Sequence, residues 1–405
     1  MSHQGKTALL LGLCTVLAAC DDTSTRDLTG PEPTARAAEP RFGLAAMSAL
    51  AFAQLSAGTG DNHSCGIATD SRLYCWGYNS LGSVGDGTTT QRLSPVPIGG
   101  TLRFRQVSAG GDYTCGLTTD QRAYCWGEND WGQLGDGTTI NRLTPVPVRG
   151  TLRFRQLSAG AVVTCGVTTD DRAYCWGYNE TGTIGDGTLT TFRLRPVPIG
   201  GALRFRQVSP GGGHTCGVTT DDRAYCWGWN YDGAVGDSSR VTRLVPTPVA
   251  GGLRFRQVDT GESHSCGVTV TGRAYCWGYN SSGQVGDGKT VIRRFWPRAV
   301  AGGLSFRAVN AGFSHTCGIT TLNRAYCWGN NQEGGLGDGT LTHRYAPVPV
   351  AGGHLFDQVG AGFLHTCART PDGVGYCWGD NFGGPLGDGT TTDRLKPRAI
   401  APPAS

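Results

Sequence analysis

Fourteen of the sixteen cysteines fall into seven pairs of the form Cys-x9-Cys: Cys65 with Cys75, Cys115 with Cys125, Cys165 with Cys175, Cys216 with Cys226, Cys266 with Cys276, Cys317 with Cys327, and Cys367 with Cys377. Thiols in such pairs can form a disulfide, ligate a metal or lie buried as small apolar groups. Two residues before the first Cys stand His63, His214, His264, His315 and His365, with Tyr113 and Val163 at that place in copies two and three. The His-x-Cys series raises zinc, which needs its ligands about 2.0–2.3 Å from one point. A His and a Cys two apart on a strand supply two ligands where a structural site needs four. Hydrogen-bonding histidines and no metal are the expectation. A Gly-Asp-Gly loop recurs around Asp86, Asp136 and their equivalents, and in each copy an Arg follows (Arg92, Arg142). Calcium takes about 6–8 oxygens, and each loop offers one carboxylate. The Asp is therefore read as capping its own turn, held by the Arg. No Gly-x-Ser-x-Gly or His-Glu-x-x-His occurs, and no catalytic residue is assigned. Glu128, Glu180, Glu262, Glu333, His343 and His354 keep a metal-assisted lyase or hydrolase open as an alternative.

The elements that must position these residues repeat. Successive first cysteines are 50, 50, 51, 50, 51 and 50 residues apart, a period that marks a propeller or solenoid. In the second copy, Arg103–Val107 alternates polar and apolar residues, and Tyr113–Leu117 and Arg122–Trp126 form further runs. Pro145–Val148 carries two prolines and suits an edge strand. With 65 Gly in 405 residues and 16% charged residues, many tight turns are predicted and helix-rich folds are disfavoured. The expectation is an all-β, seven-bladed β-propeller of four-stranded blades, about 50 residues per repeat. A three-residue turn centred on Asp70 puts Cys65 opposite Cys75, where Cβ atoms come to about 4.5–5.5 Å. Seven intra-blade disulfides are expected, with buried reduced thiols as the other reading. Which strand closes the ring stays open.

Gly-x-x-His-[Ser/Thr]-Cys, Tyr-Cys-Trp-Gly-x-Asn and Gly-x-[Leu/Val/Ile]-Gly-Asp-Gly resemble the regulator-of-chromosome-condensation repeat, over roughly residues 48–400. The resemblance implies a seven-bladed β-propeller. It does not fix activity, since similar proteins include a guanine-nucleotide exchange factor, a plant ultraviolet photoreceptor and a bacterial β-lactamase-inhibitor protein. The Trp of Tyr-Cys-Trp-Gly is read as packing between blades rather than as a light absorber.

Residues 1–19 read as a lipoprotein signal peptide: Lys6, an apolar run, then Leu17-Ala18-Ala19-Cys20, which resembles a lipobox with Cys20 lipidated. An ordinary secretory signal is the alternative. Residues 20–47 read as a flexible tether, 48–400 as the propeller and 401–405 as a tail. The expected location is the bacterial cell envelope, exported and lipid-anchored, with secretion as the alternative. A net charge of +4 is too mild for nucleic-acid binding, and membrane contact is expected through the N-terminal lipid only. A monomer without cofactors is expected.

Departures between copies show where a partner could be read. The loop before Gly-Asp carries Trp131, Tyr231 and Phe382, with Tyr78, Tyr178, Trp229 and Tyr279 just before its Asn; after the first strand come Tyr113, Phe313 and Phe363. Equivalent propeller loops share one face, so these ten aromatics form the candidate binding face for a protein or a glycan. The leading expectation is a non-enzymatic, envelope-anchored binding scaffold. Exchange-factor activity is implied by the family name alone.

Overall fold

The computed structural model describes residues 50–60 and 62–403. The predicted leader, lipidated Cys20 and most of the tether lie outside the described residues. Among the described residues there is no helix, and 28 strands form seven four-stranded antiparallel sheets. In blade 1, β1 (Phe52–Ala57), β2 (His63–Ala68), β3 (Leu73–Gly77) and β4 (Arg92–Ile98) pair in chain order. Blades 2 to 7 repeat this order over residues 104–147, 154–198, 205–248, 255–299, 306–349 and 358–399.

The strands differ in burial as their positions demand. First strands alternate, with Phe52, Leu55 and Ala57 buried. Second strands such as His63–Ala68 are buried throughout. The fourth strand is half-exposed, and its prolines, such as Pro95 and Pro97, sit where no further strand needs their missing N–H. It begins earlier than the prolines suggest, at Arg142 rather than Pro145 in blade 2, because the Arg joins the ladder opposite Gly127.

The predicted hairpin register holds in every blade. Cys65 stands directly opposite Cys75, Cys115 opposite Cys125, Cys165 opposite Cys175, and Cys216 opposite Cys226. Cys266 likewise faces Cys276, Cys317 faces Cys327, and Cys367 faces Cys377. All seven pairs of sulfurs stand at bonding distance, 2.07 to 2.13 Å. The disulfide expectation fits this geometry, and the reading as buried reduced thiols does not.

The cores lie between blades. Cys65, Ile67, Cys75 and Val84 of blade 1 pack on Phe104, Val107 and Trp126 of blade 2. Trp126 is fully buried, and its Nε1 donates to the Ser83 carbonyl at 3.0 Å. This contact explains the Gly before each repeated Asp. Gly85 has φ +86°, and a Cβ there would lie 2.4 Å from Trp126 Nε1. Any side chain would push the ring out of the wedge.

The ring closes without a strand shared between the chain's two ends. Side-chain amides bridge adjacent first strands: Gln54 Nε2 donates to Val107 O while Val107 N donates to Gln54 Oε1. Gln358 makes the same two bonds to Leu55, joining blade 7 to blade 1. Trp76 Nε1 donates to Pro385 O across that seam, as its equivalents do at other junctions. Closure therefore uses the ordinary blade-to-blade contacts.

Candidate functional site

The second-strand histidines belong to the frame. His214 Nε2 meets Ser265 Oγ at 2.7 Å, His264 meets Thr316, His315 meets Thr366 and His365 meets Ser64, each partner lying on the next blade. Burial lowers these four rings from the ordinary 6.5, to about 4 for His214 and His315 and about 3 for His264 and His365. Tyr113 fills the same slot in blade 2: its OH donates to Val163 O and accepts from Thr164 Oγ1. Tyr113 is fully buried and is thereby removed from the candidate face.

The connection between third and fourth strands is a rigid loop built from the repeat. Asn79 is buried; its Oδ1 accepts from Val84 N, and its Nδ2 donates to the carbonyls of Thr88 and Thr90. Asp86 accepts from Thr88 N and Oγ1 through one oxygen and pairs with Arg92 Nε at 2.6 Å through the other. Burial alone would raise the Asp86 carboxyl; hydrogen bonds from Thr88 and Arg92 outweigh it and hold the group below the usual range. The same Asp–Arg pair recurs in all seven blades. These loops are fixed platforms, and what they display is set by the residues that vary.

They display aromatics, in separate groups. Trp131 (36% exposed), Trp229 (47%), Tyr231 (51%) and Phe382 (70%) face solvent. Tyr78, Tyr178, Tyr279, Phe313 and Phe363 are half-buried. Trp131 of blade 2 stands edge-on to Tyr178 of blade 3 at 5.1 Å. Phe382 of blade 7 leans on Tyr78 of blade 1 at 6.2 Å, and Phe313 meets Phe363 at 4.5 Å. In blade 4, Trp229 and Tyr231 lie 6.3 Å apart, with the Arg240 guanidinium 4.2 Å and that of Arg293 5.1 Å from the Tyr231 ring. Asp232 holds Arg293 in place at 2.6 Å.

Sequence reasoning missed a second exposed apolar set in the same connections: Ile140, Leu189, Val241, Val291, Ile292 and Leu341. Their signal was present, since the stretch between Gly-Asp-Gly and Arg reads Thr-Thr-Thr in copies one and seven and gains an aliphatic residue in the others. This aliphatic display thus runs over blades 2 to 6.

The residues named for metal-assisted chemistry do not gather. His343 Nδ1 accepts from Asn331 N in the loop face, whereas His354 stacks on Tyr376 at the opposite end. The four glutamates lie on four blades. No group of three His, Cys, Asp or Glu among the described residues is placed to share a metal ion. In the axial cavity, of about 80 Å³, first-strand Ser56, Ser108, Ser158 and Ser209 give way to Asp259 and Asn310. Burial raises the Asp259 carboxyl to about 6, and it accepts hydrogen bonds from Ser209 Oγ, Asn310 Nδ2 and Ala311 N. These three bonds tie it to the wall of the cavity.

Among solved structures, the chain is similar to human WBSCR16 at 21% identity, TM-score 0.74, over 82% of this chain and 94% of that one. It is similar to yeast RCC1 (Prp20) bound to Kap60 at 20% identity, TM-score 0.73, over 81% and 83%. A structure of Prp20p from Saccharomyces cerevisiae, described with its binding to Gsp1p and histones, matches at 20% identity, TM-score 0.72, over 83% and 87%. These likenesses show the fold. No curated protein matches the sequence. The family model for the regulator of chromosome condensation (RCC1) repeat matches residues 70–117, 120–167, 170–218, 221–268, 271–319 and 323–369, and a second model of the same repeat matches six segments between residues 52 and 334. With the seven blades, their Trp wedges and their Asp–Arg loops, these matches place the chain in the regulator of chromosome condensation repeat family.

Proposed function

We propose that this chain is a non-enzymatic binding scaffold, held in the bacterial cell envelope by a lipid on Cys20, and that it holds a protein on its loop face. The carrying observation is the blade 4 group. Trp229 and Tyr231 stay exposed on a loop hydrogen-bonded through Asn230 and Asp237, beside two arginines whose guanidinium groups lie over the Tyr231 ring. Rigid Trp, Tyr and Arg bind at little entropic cost and dominate interface energetics. Protein partners appear in the descriptions of the similar yeast structures, Kap60 in one and Gsp1p and histones in the other, which supports the class of ligand. The pair of exposed rings also suits the flat apolar face of a sugar, so a glycan is the second reading. Seven cysteine pairs at bonding distance fit an oxidising compartment outside the cytoplasm. Such a compartment also separates the chain from cytosolic exchange-factor substrates.

The test is capture from envelope extracts, comparing the native propeller with a variant carrying Trp131→Ala, Trp229→Ala, Tyr231→Ala and Phe382→Ala. All four side chains are exposed, so the variant keeps its melting temperature. A ligand held by the native protein is lost from the variant by about thirtyfold or more, the scale of one interface hot spot. Equal retention by both proteins refutes the assignment of the face.

A further inference from the structure

The end of the ring opposite the aromatic loops has a different chemistry. Eleven exposed arginines belong to the turns between second and third strands and to the connections joining one blade to the next, and all but Arg149, whose side chain lies back against Gly137, are counted to this end. The same segments carry eight aspartates and no Lys or Glu. Three of those aspartates, Asp171, Asp222 and Asp357, are already paired with Arg155, Arg206 and Arg369 of the first and second strands. Among the described residues, Arg103, Arg153, Arg204, Arg273 and Arg324 of this end take part in no ion pair. The loop face has the opposite balance: beyond its seven Asp–Arg pairs, it carries nine described carboxylates against Arg240, Lys289 and Arg293. A net charge of +4 therefore hides a molecule with ends of opposite sign.

The turns of blades 5 and 6 then depart from the repeat. In blades 1 to 4 the turn Arg pairs with an Asp two residues before it, as Arg72 does with Asp70 and Arg122 with Asp120. In blades 5 and 6 that position holds Thr271 and Leu322, which leaves Arg273 and Arg324 without the acid. Aliphatic side chains appear beside them: Val270 is 50% exposed and Leu322 74%. Leu355, 47% exposed, belongs to the same edge, because the next residue, Phe356, donates its N–H to the Asn323 carbonyl of the blade 6 turn. Both ends of the described chain leave the ring at this face: Phe52 N bonds Gly373 O, and Ile400 N bonds Gly375 O.

We propose that this arginine face docks on an anionic phospholipid bilayer, with Val270, Leu322 and Leu355 entering the headgroup layer and Arg273 and Arg324 on the lipid phosphates. The complementarity is chemical. Guanidinium groups match phosphate oxygens with paired donors, basic side chains gain from the negative surface potential, and short apolar tips insert at the interface. A nucleic-acid backbone would satisfy the arginines but leave the aliphatic tips in water. Docking here turns the aromatic loop face away from the membrane. The surface is separate from the proposed protein-binding face and stands whether or not that reading holds.

Vesicle flotation tests it with the chain from Met47 onward, the unit that contains the closed ring. At low salt this protein floats with vesicles of phosphatidylcholine and phosphatidylglycerol mixed about three to one, and not with phosphatidylcholine alone. Arg273→Glu with Arg324→Glu lowers the bound fraction about tenfold or more, whereas Arg273→Lys with Arg324→Lys retains most of it. Leu322→Ser with Leu355→Ser lowers it about fivefold. Melting temperatures stay equal across the set, because every altered side chain is exposed. No flotation at low salt overturns the proposal. So does flotation indifferent to the serine variant, which would mark a general polyanion surface such as one for nucleic acid.

Discussion

Full reduction of the seven cysteine pairs is expected to lower the melting temperature by on the order of 20 °C. Each pair closes a loop with a sequence separation of 10, for which the chain-entropy model gives about 2–3 kcal/mol. Seven such loops amount to roughly 15–20 kcal/mol, comparable to or above the whole stability of an ordinary domain, about 5–15 kcal/mol. The bridges lie inside the inter-blade cores, with both sulfurs inaccessible, Cys65 and Cys75 among them. Reductant therefore reaches them through opening of the blades, and reduction at moderate denaturant is expected to be cooperative. Calorimetry of the oxidised and the reduced, alkylated chain measures the difference. A reduced chain that melts within a few degrees of the oxidised one removes the bridges from the account of stability.

The second large effect is acid lability. His214, His264, His315 and His365 are held neutral by burial, with folded pKa values of about 3 to 4 against 6.5 for an ordinary imidazole. The unfolded chain binds these protons below pH 6.5 and the folded ring does not, so their stabilising contribution is complete above 6.5 and is lost as pH falls toward 4. Each group costs about 1.4 kcal/mol per pH unit, or about 5 kcal/mol per unit for four. Asp259 opposes this. Its folded value is raised from 3.8 to about 6, so it favours the folded state as pH falls from 6 to 3.8. It offsets about one histidine, leaving about 4 kcal/mol per pH unit. Urea midpoints between pH 7 and 4.5 should fall steeply, and His264→Gln should flatten the net slope by about a third while lowering the midpoint at pH 7. A flat profile over that range contradicts the burial assigned to the rings.

The sequence carried the frame because the frame repeats. One period, read seven times, placed Cys65 opposite Cys75, put each Trp between blades and tied each Gly-Asp-Gly Asp to its Arg, all as found. Tyr113 was misread for the same reason that the rest succeeded. It looked like a departure, yet its hydroxyl reaches the neighbouring blade at the position where the histidines do so, and a ring spanning that distance must be buried. Ring closure was not legible, because the Gln358 bridge to Leu55 depends on blades 303 residues apart meeting in space. The two charged ends were hidden as well: each end mixes both signs, and only the strand direction gathers the surplus arginines at one face and the surplus carboxylates at the other.

Whether protein binding is written on the loop face is decided by photo-crosslinking in the intact envelope. A benzophenone side chain placed singly at Trp229, Phe382 or Ile140 reports the loop face, and one at Arg204 or Leu322 reports the opposite end. A discrete protein adduct is expected from the first three positions and none from Arg204 or Leu322. Protein adducts confined to Arg204 and Leu322 would contradict the proposed function.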